Sequence, residues 1–241
     1  MPAFLNFITA SRRAKSVDAL FETFIEAMRS LGFDLINFSV IAAYDISSVH
    51  WGFGRINTYP SAWRQYYEAN DCRRIDPVAR CATSTFRPFY WSELDRILPL
   101  TARQRRFLRD AQKAGLHNGV GIPFKGPMSQ VAGIALATSA PVVKELPPLD
   151  LIVAYCNQFF DVFRTMVAPE RTVPKSAILS DRECQVLEGI VMSLTDSQIA
   201  EMLGIKPSTI DSHLRSIFRK LKVRNRTAAV ISAQKMGLID L

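Results

Sequence analysis

Between Tyr59 and Trp91 the sequence gathers six aromatic side chains that carry a hydroxyl or an indole N–H: Tyr59, Trp63, Tyr66, Tyr67, Tyr90 and Trp91. The carboxylate of Asp76 and the rings of Phe86 and Phe89 lie among them. Tyr and Trp combine a broad apolar face with one polar tip. A cavity lined by them would suit a small ligand with an apolar body and a few polar atoms. An aromatic core with internally satisfied hydroxyls accounts for the same residues. Asp76 poses the same choice, because a carboxylate among rings is costly unless a donor pairs with it. That donor is a ligand group, or the backbone of a helix opening at Pro77, since Asp followed by Pro makes a good N-cap and N1 pair. Its two oxygens allow both at once.

A second constellation is electrostatic. From Lys206 to Arg226 there are seven basic residues (Lys206, Arg215, Arg219, Lys220, Lys222, Arg224, Arg226) against one acid, Asp211. Dipole complementation at a helix C-terminus or a solvated face explains two or three such cations. Seven beside three successive helix-start signals point to a polyanion. Ser180 with Glu183 and Thr195 with Gln198 have capping-box spacing, and Lys206-Pro207-Ser208-Thr209 restarts the chain with proline in a first-turn position. The middle helix would run about two turns before Gly204 stops it. Two short helices joined this way suggest a helix-turn-helix, whose second helix lies in the major groove. On that helix Ile210, Leu214, Ile217, Phe218 and Leu221 recur at helical spacing and must face the core. Arg215, Arg219, Lys222, Arg224 and Arg226 are then placed for phosphates, and Ser208, Thr209, Asp211 and Ser212 for base edges.

Other chemistry has little support. Cys72, Cys81, Cys156 and Cys184 are far apart, with no C-x-x-C, and His50, His117 and His213 are equally scattered. No metal site or nucleophile-base pair is expected, and the cysteines read as reduced thiols. No glycine-rich phosphate loop appears. The N-terminus lacks the order of a secretory signal and no apolar run is long enough to span a membrane, so a cytoplasmic protein with no membrane partner is expected.

At 241 residues and 48% apolar content the chain has room for two packed domains. The formal charge of +8 favours a polyanion partner. Ala168 to Lys175 holds two prolines and several charged or hydroxyl residues and reads as a linker. The boundaries expected are 1–167, a linker over 168–176, and 177–241. Upstream, helices are expected over Ser16–Leu31, Pro60–Asn70, Asp76–Thr83, Leu100–Ala114 and Asp150–Met166. Strands are expected over Leu35–Ala43, Gly119–Phe124 and Val131–Thr138, the last two joined at Gly126-Pro127. The class is α+β: an α-β-α sandwich with an antiparallel sheet, then a small all-α helix-turn-helix domain. Alternating βα repeats of a phosphoreceiver domain are absent.

The stretch from Leu179 to Val230 resembles the LuxR-type (GerE-like) regulators. Glu183, Leu187, Ile199, Ala200, Leu203, Thr209, His213, Lys220, Leu221 and Ala229 fall where that pattern asks. His213 would pack in the domain or touch the DNA backbone. Ser193 replaces a usual glycine, and Asp211 stands where several members carry a basic, base-reading residue. The segment TYPSAWRQYYEANDCRRIDPVAR is similar to the autoinducer-binding domain of quorum-sensing members. That resemblance implies an N-acyl homoserine lactone as ligand. Trp63 would donate to the lactone carbonyl, Asp76 would accept from the amide N–H, and Tyr59 would bond the acyl carbonyl. Tyr67 and Trp91 would wall the pocket, Gly119 matches a family glycine, and Val78, Phe107, Ala111 and Leu116 would line the acyl tail. Ala135 stands where several members use Ser or Thr to help hold an oxygen, which leaves the acyl group open.

The resemblance thus implies a homodimeric transcription regulator, not an enzyme, that takes an N-acyl homoserine lactone and double-stranded DNA with a palindromic site. RNA polymerase is a further candidate partner, and no cofactor is implied. A ligand-independent regulator, or one answering another small molecule, would carry the same helix-turn-helix.

Overall fold

A computed structural model describes residues 2–43, 46–126, 130–142, 146–167 and 178–239. These fall into two compact units, one within 2–167 and one within 178–239. The linker expected over 168–176 and the turn at Pro127 lie outside the described residues.

The first unit is built on a five-stranded sheet in the order β2-β1-β5-β4-β3, with β1 Leu35–Ala42, β2 Gly52–Asn57, β3 Phe89–Tyr90, β4 His117–Gly126 and β5 Gln130–Thr138. Every neighbouring pair is antiparallel. Strand residues alternate between faces, and here the alternation separates large from small. Ile36, Phe38, Ile56, Val120, Ile122, Ile134 and Leu136 point to one side, where they are buried with residues of α2 (Val17–Ser30) and α7 (Leu149–Val167). Phe24 stacks on Phe159 at 4.2 Å, and Phe38 meets Phe159 and Phe163 edge-on at 5.1 and 5.0 Å. A helix α1, Pro2–Arg13, joins this layer through Phe7, which contacts Tyr155 at 4.9 Å.

The opposite face carries Gly119 and Gly121 on β4 and Gly133, Ala135 and Ala137 on β5. Over it lie α3 (Ser61–Ala69), α4 (Pro77–Ser84), α5 (Leu94–Ile97) and α6 (Ala102–Lys113), whose apolar residues form two smaller clusters with it. Small floor residues under bulky helix residues leave room between the layers. The expected α-β-α sandwich with an antiparallel sheet is therefore the architecture found. The chain also forms α1, β2, β3 and α5, which the spacing of apolar residues did not reveal.

The second unit is all helical: α8 Asp181–Val191, α9 Asp196–Leu203, α10 Pro207–Leu221 and α11 Arg226–Lys235. Both expected capping boxes form. The Glu183 carboxylate accepts from Ser180 N at 2.7 Å and Gln198 Oε1 accepts from Thr195 N at 2.9 Å, while each hydroxyl accepts in return. Gly204 ends α9 at φ +65°. Ser193, at the position usually held by glycine, has φ +60°. The turn keeps its left-handed shape without the residue that adopts it most easily. Ile210, Leu214, Ile217 and Leu221 of α10 are buried against Val186, Leu187, Ile199 and Ala229.

Candidate functional site

Between the sheet and α3, α4 and α6 lies a cavity of about 740 Å³. Tyr59, Trp63, Tyr67, Asp76, Val78, Trp91, Phe107, Ala111, Leu116 and Ala135 all line it. Its size falls within the range of small-molecule sites.

The geometry starts at Asp76. The residue has extended backbone as the N-cap of α4, and its Oδ1 accepts from Val78 N at 2.8 Å and Ala79 N at 3.2 Å. Its Oδ2 accepts from the Tyr67 hydroxyl at 2.9 Å. Capping and facing the cavity are thus divided between the two oxygens of one side chain. Burial raises the carboxyl pKa, against the opposing effect of the three hydrogen bonds. Burial, with the Asp76 charge second, pushes the Tyr59 and Tyr67 hydroxyls far above the usual tyrosine range, so both remain donors.

Tyr59 donates to the carbonyl of Ala135 at 3.3 Å, which ties the entry to α3 onto the central strand β5. One turn into α3, Trp63 is 6% exposed, and its ring lies 5.3 Å from Phe107 and 5.4 Å from Tyr66. Its indole N–H has no acceptor among the described residues. The indole of Trp91 is pressed onto β4: a Cβ on Gly119 would fall 1.9 Å from Trp91 Cδ2. Glycine is required there by contact, and the enclosed Trp91 Nε1 is likewise without a partner among the described residues.

The four residues assigned to the tail by resemblance are divided by the fold. Phe107, Ala111 and Leu116 cluster with Tyr59 and Trp63, whereas Val78 packs with Cys81 and Phe89. The cavity also has a wall that sequence reasoning missed, formed by Asn37 and Ser39 of β1 and Asn57 of β2. The odd-numbered positions of Leu35–Ala42 hold the only sequence signal for it, since polar residues there alternate with Ile36, Phe38 and Val40. Phe53 of β2 and Arg73 close part of the rim, with the guanidinium 4.4 Å from the ring centroid.

In the second unit Ser208, Asp211, Ser212, Arg215, Arg219 and Lys222 are exposed along one side of α10 and at its C-cap. Thr209 and His213 are half-buried, and Lys206 and Arg224 are exposed at either end. Lys206, Arg219, Lys222 and Arg224 make no ion pair among the described residues. Asp211 and Arg215 pair with each other at 2.7 Å. Arg226, partly exposed, lies 3.2 Å from Asp196 and donates to Leu194 O at 3.5 Å. Lys220 donates at 2.7 Å to Glu183, a carboxylate that is 3% exposed. Burial works against that charge, but hydrogen bonds from Lys220, Ser180 and Ser216 prevail and hold the Glu183 pKa down at about 2. Two of the seven cations therefore brace the fold, and a stripe of the others remains open to solvent.

Among the described residues no cluster of His, Cys, Asp and Glu could hold a metal, and no helix is long and apolar enough to cross a membrane.

Comparison with known proteins agrees with both units. Residues 16–152 match the family described as an autoinducer binding domain, and residues 177–233 match bacterial regulatory proteins of the luxR family. The transcriptional activator protein SolR of Ralstonia solanacearum is 27% identical over 243 residues, covering 99% of both chains. The quorum sensing-dependent transcriptional regulator RpaR of Rhodopseudomonas palustris is 30% identical over 190 residues, 77% of this chain and 74% of that protein. The crystal structure of Escherichia coli SdiA superposes with a TM-score of 0.70 at 18% identity, covering 98% of this chain and 97% of that one. The two matched domains assign the chain to a known group of non-enzymatic regulators: the chain belongs to the LuxR family, as a DNA-binding transcriptional regulator with an autoinducer-binding domain.

Proposed function

We propose that the cavity binds an N-acyl homoserine lactone and that the protein, as a homodimer in the cytoplasm, reads a palindromic promoter site under the control of that ligand. Trp63 donates to the lactone carbonyl, Asp76 Oδ2 accepts from the amide N–H beside Tyr67, and Tyr59 exchanges its bond to Ala135 O for one to the acyl carbonyl. Tyr67, Trp91, Val78, Phe107, Ala111, Leu116 and Ala135 enclose the ligand. Binding in the first unit stabilises the folded state by mass action and favours the dimer. Two copies of α10 about a two-fold axis then enter successive major grooves, with Ser208, Thr209, Asp211 and Ser212 near base edges. Lys206, His213, Arg215, Arg219, Lys222, Arg224 and Arg226 lie toward the backbone, and RNA polymerase is a further partner.

The observation that carries the ligand reading is the indole N–H of Trp63, a donor on a 6%-exposed residue lining the cavity, with no acceptor among the described residues. An acceptor on a molecule inside the cavity would pair it. Calorimetric titration of the protein with homoserine lactones tests it: Trp63→Phe should weaken binding about tenfold, as loss of one buried hydrogen bond does. Equal affinity in both proteins would remove Trp63 from the site.

One observation favours a ligand-independent regulator. Tyr59 and Tyr67 already have acceptors in Ala135 O and Asp76, so those polar groups are satisfied by the protein itself. Binding of none of the lactones, with DNA binding intact, would select that reading.

A further inference from the structure

Ser208, Asp211, Ser212, Arg215 and Arg219 recur along α10 at spacings of three and four, which places them on one stripe opposite the buried Ile210, Leu214, Ile217 and Leu221. Asp211 is the one acid among the 15 residues of that helix. Its charge does little for the fold. It lies past the first turn, the place where a carboxylate complements the helix dipole, it caps no backbone N–H, and its side chain is 57% exposed. Its pair with Arg215, four residues on at 2.7 Å, is open to solvent, and such pairs contribute little to stability.

Two acceptors are left facing outward on this stripe. Arg215 holds Asp211 Oδ2, and Oδ1 has no partner among the described residues. The neighbouring Ser212 hydroxyl donates to Ser208 O at 3.2 Å, so its proton is committed to the helix and its lone pairs are what it presents.

In the major groove such acceptors have few partners. Guanine shows N7 and O6 there and thymine shows O4, all of which repel a carboxylate, and the phosphates repel it as well. Donors come only from cytosine N4 and adenine N6. Adenine N6 stands beside the acceptor N7, whereas cytosine N4 has a C–H neighbour on this edge. Cytosine is therefore the base that meets a carboxylate with a donor and no acceptor of its own. The Arg215 guanidinium, 2.7 Å away, offsets the repulsion between Asp211 and the DNA backbone.

We propose that Asp211 is a specificity-determining residue that reads cytosine, through its N4 amino group, at one position in each half-site. The proposal rests on the reading of α10 as the helix that enters the major groove, and it adds the base selected there. A base that presents an acceptor at that position leaves the carboxylate desolvated and unpaired.

The test is selection by the 241-residue protein from a pool of duplexes. Their randomised core spans about 20 base pairs, two helical turns. The selection is run without ligand and with a mixture of homoserine lactones bearing unsubstituted, 3-oxo, branched and aryl acyl groups. The wild type should recover half-sites with cytosine at one position, and replacing that cytosine should weaken binding about tenfold. Asp211→Asn exchanges one oxygen for NH₂, the pattern that pairs with adenine N6 and N7, and should recover adenine at that same position. Asp211→Ala should recover no preferred base there, with the rest of the half-site unchanged. Circular dichroism and an unchanged thermal midpoint establish that each variant is folded. A wild-type half-site without such a cytosine, or a cytosine kept by both variants, overturns the proposal while leaving α10 as the reading helix. Recovery of no common half-site by the wild type, with or without lactones, overturns that reading and this proposal together.

Discussion

The hydroxyl of Tyr67 donates to Asp76 Oδ2 at 2.9 Å while Asp76 Oδ1 receives the first free N–H groups of α4. A single carboxylate thus fixes the start of a helix and presents a charge-bearing acceptor at the cavity, positioned from two directions.

This arrangement separates two substitutions. Asn caps helices about as well as Asp, so Asp76→Asn should keep α4 and the thermal midpoint while weakening ligand binding roughly tenfold or more through loss of a charged acceptor. Asp76→Ala should do both, lowering stability by about 1 kcal/mol or more through the lost cap. Denaturant unfolding and titration of the two variants measure the difference. Indistinguishable stabilities would show that the cap contributes nothing.

Close packing makes Gly119 a sensitive position. A methyl group there would stand 1.9 Å from Trp91 Cδ2, so the indole must move. Gly119→Ala should cost about 1–3 kcal/mol and change the tryptophan emission. A variant of wild-type stability and spectrum would contradict the described contact.

Much of this was legible before the structure. The Ser180–Glu183 and Thr195–Gln198 spacings and Gly204 act locally, within one helical turn, so their positions in the chain determined α8, α9 and the turn between them. The aromatic residues from Tyr59 to Trp91 and Asp76 were recognisable from type and spacing. Asn37 and Asn57 were not, because their meaning depends on a cross-strand register over twenty residues of chain. Helix α1 was missed for a related reason: Phe4 and Phe7 find their packing partner in Tyr155 on α7, far away in sequence. Likewise the basic residues were countable, but only tertiary contacts show that Lys220 is tied to Glu183 and Arg226 to Asp196.

Glu183 gives the second unit an acid-sensitive element. Its pKa in the folded state, about 2, lies below the ordinary value of 4.5, so its contribution is fully present above about pH 4.5 and disappears as the pH falls toward 2. Glu183→Gln should be less stable near neutrality and lose less of its stability between pH 5 and about 2.5. Lys220→Met, which leaves the carboxylate buried without its cation, should cost about 1–3 kcal/mol at pH 7. Parallel pH profiles for wild type and Glu183→Gln would exclude this linkage.

Arg219 and Arg226 should behave differently despite their shared charge. Arg219 is exposed and without an ion pair, so Arg219→Ala should weaken binding to all DNA sequences and reduce the salt slope by about one. Arg226 is held by Asp196 and Leu194 O, so Arg226→Ala should lower stability and change the slope less. Salt titrations of DNA binding decide between them, and loss at a single base pair on removing Arg219 would assign it to base reading.

The most direct measurement of the central claim is the thermal midpoint of the purified 241-residue protein against homoserine lactones with unsubstituted, 3-oxo, 3-hydroxy, branched and aryl acyl groups. A ligand at 100 times its Kd stabilises the folded state by about 2.7 kcal/mol. A rise of several degrees, selective for one acyl class and reduced in Trp63→Phe, is the result expected of a lactone receptor. No shift with any of them, in protein that still binds DNA, would contradict that account and make the first unit ligand-independent or a receptor for a different small molecule.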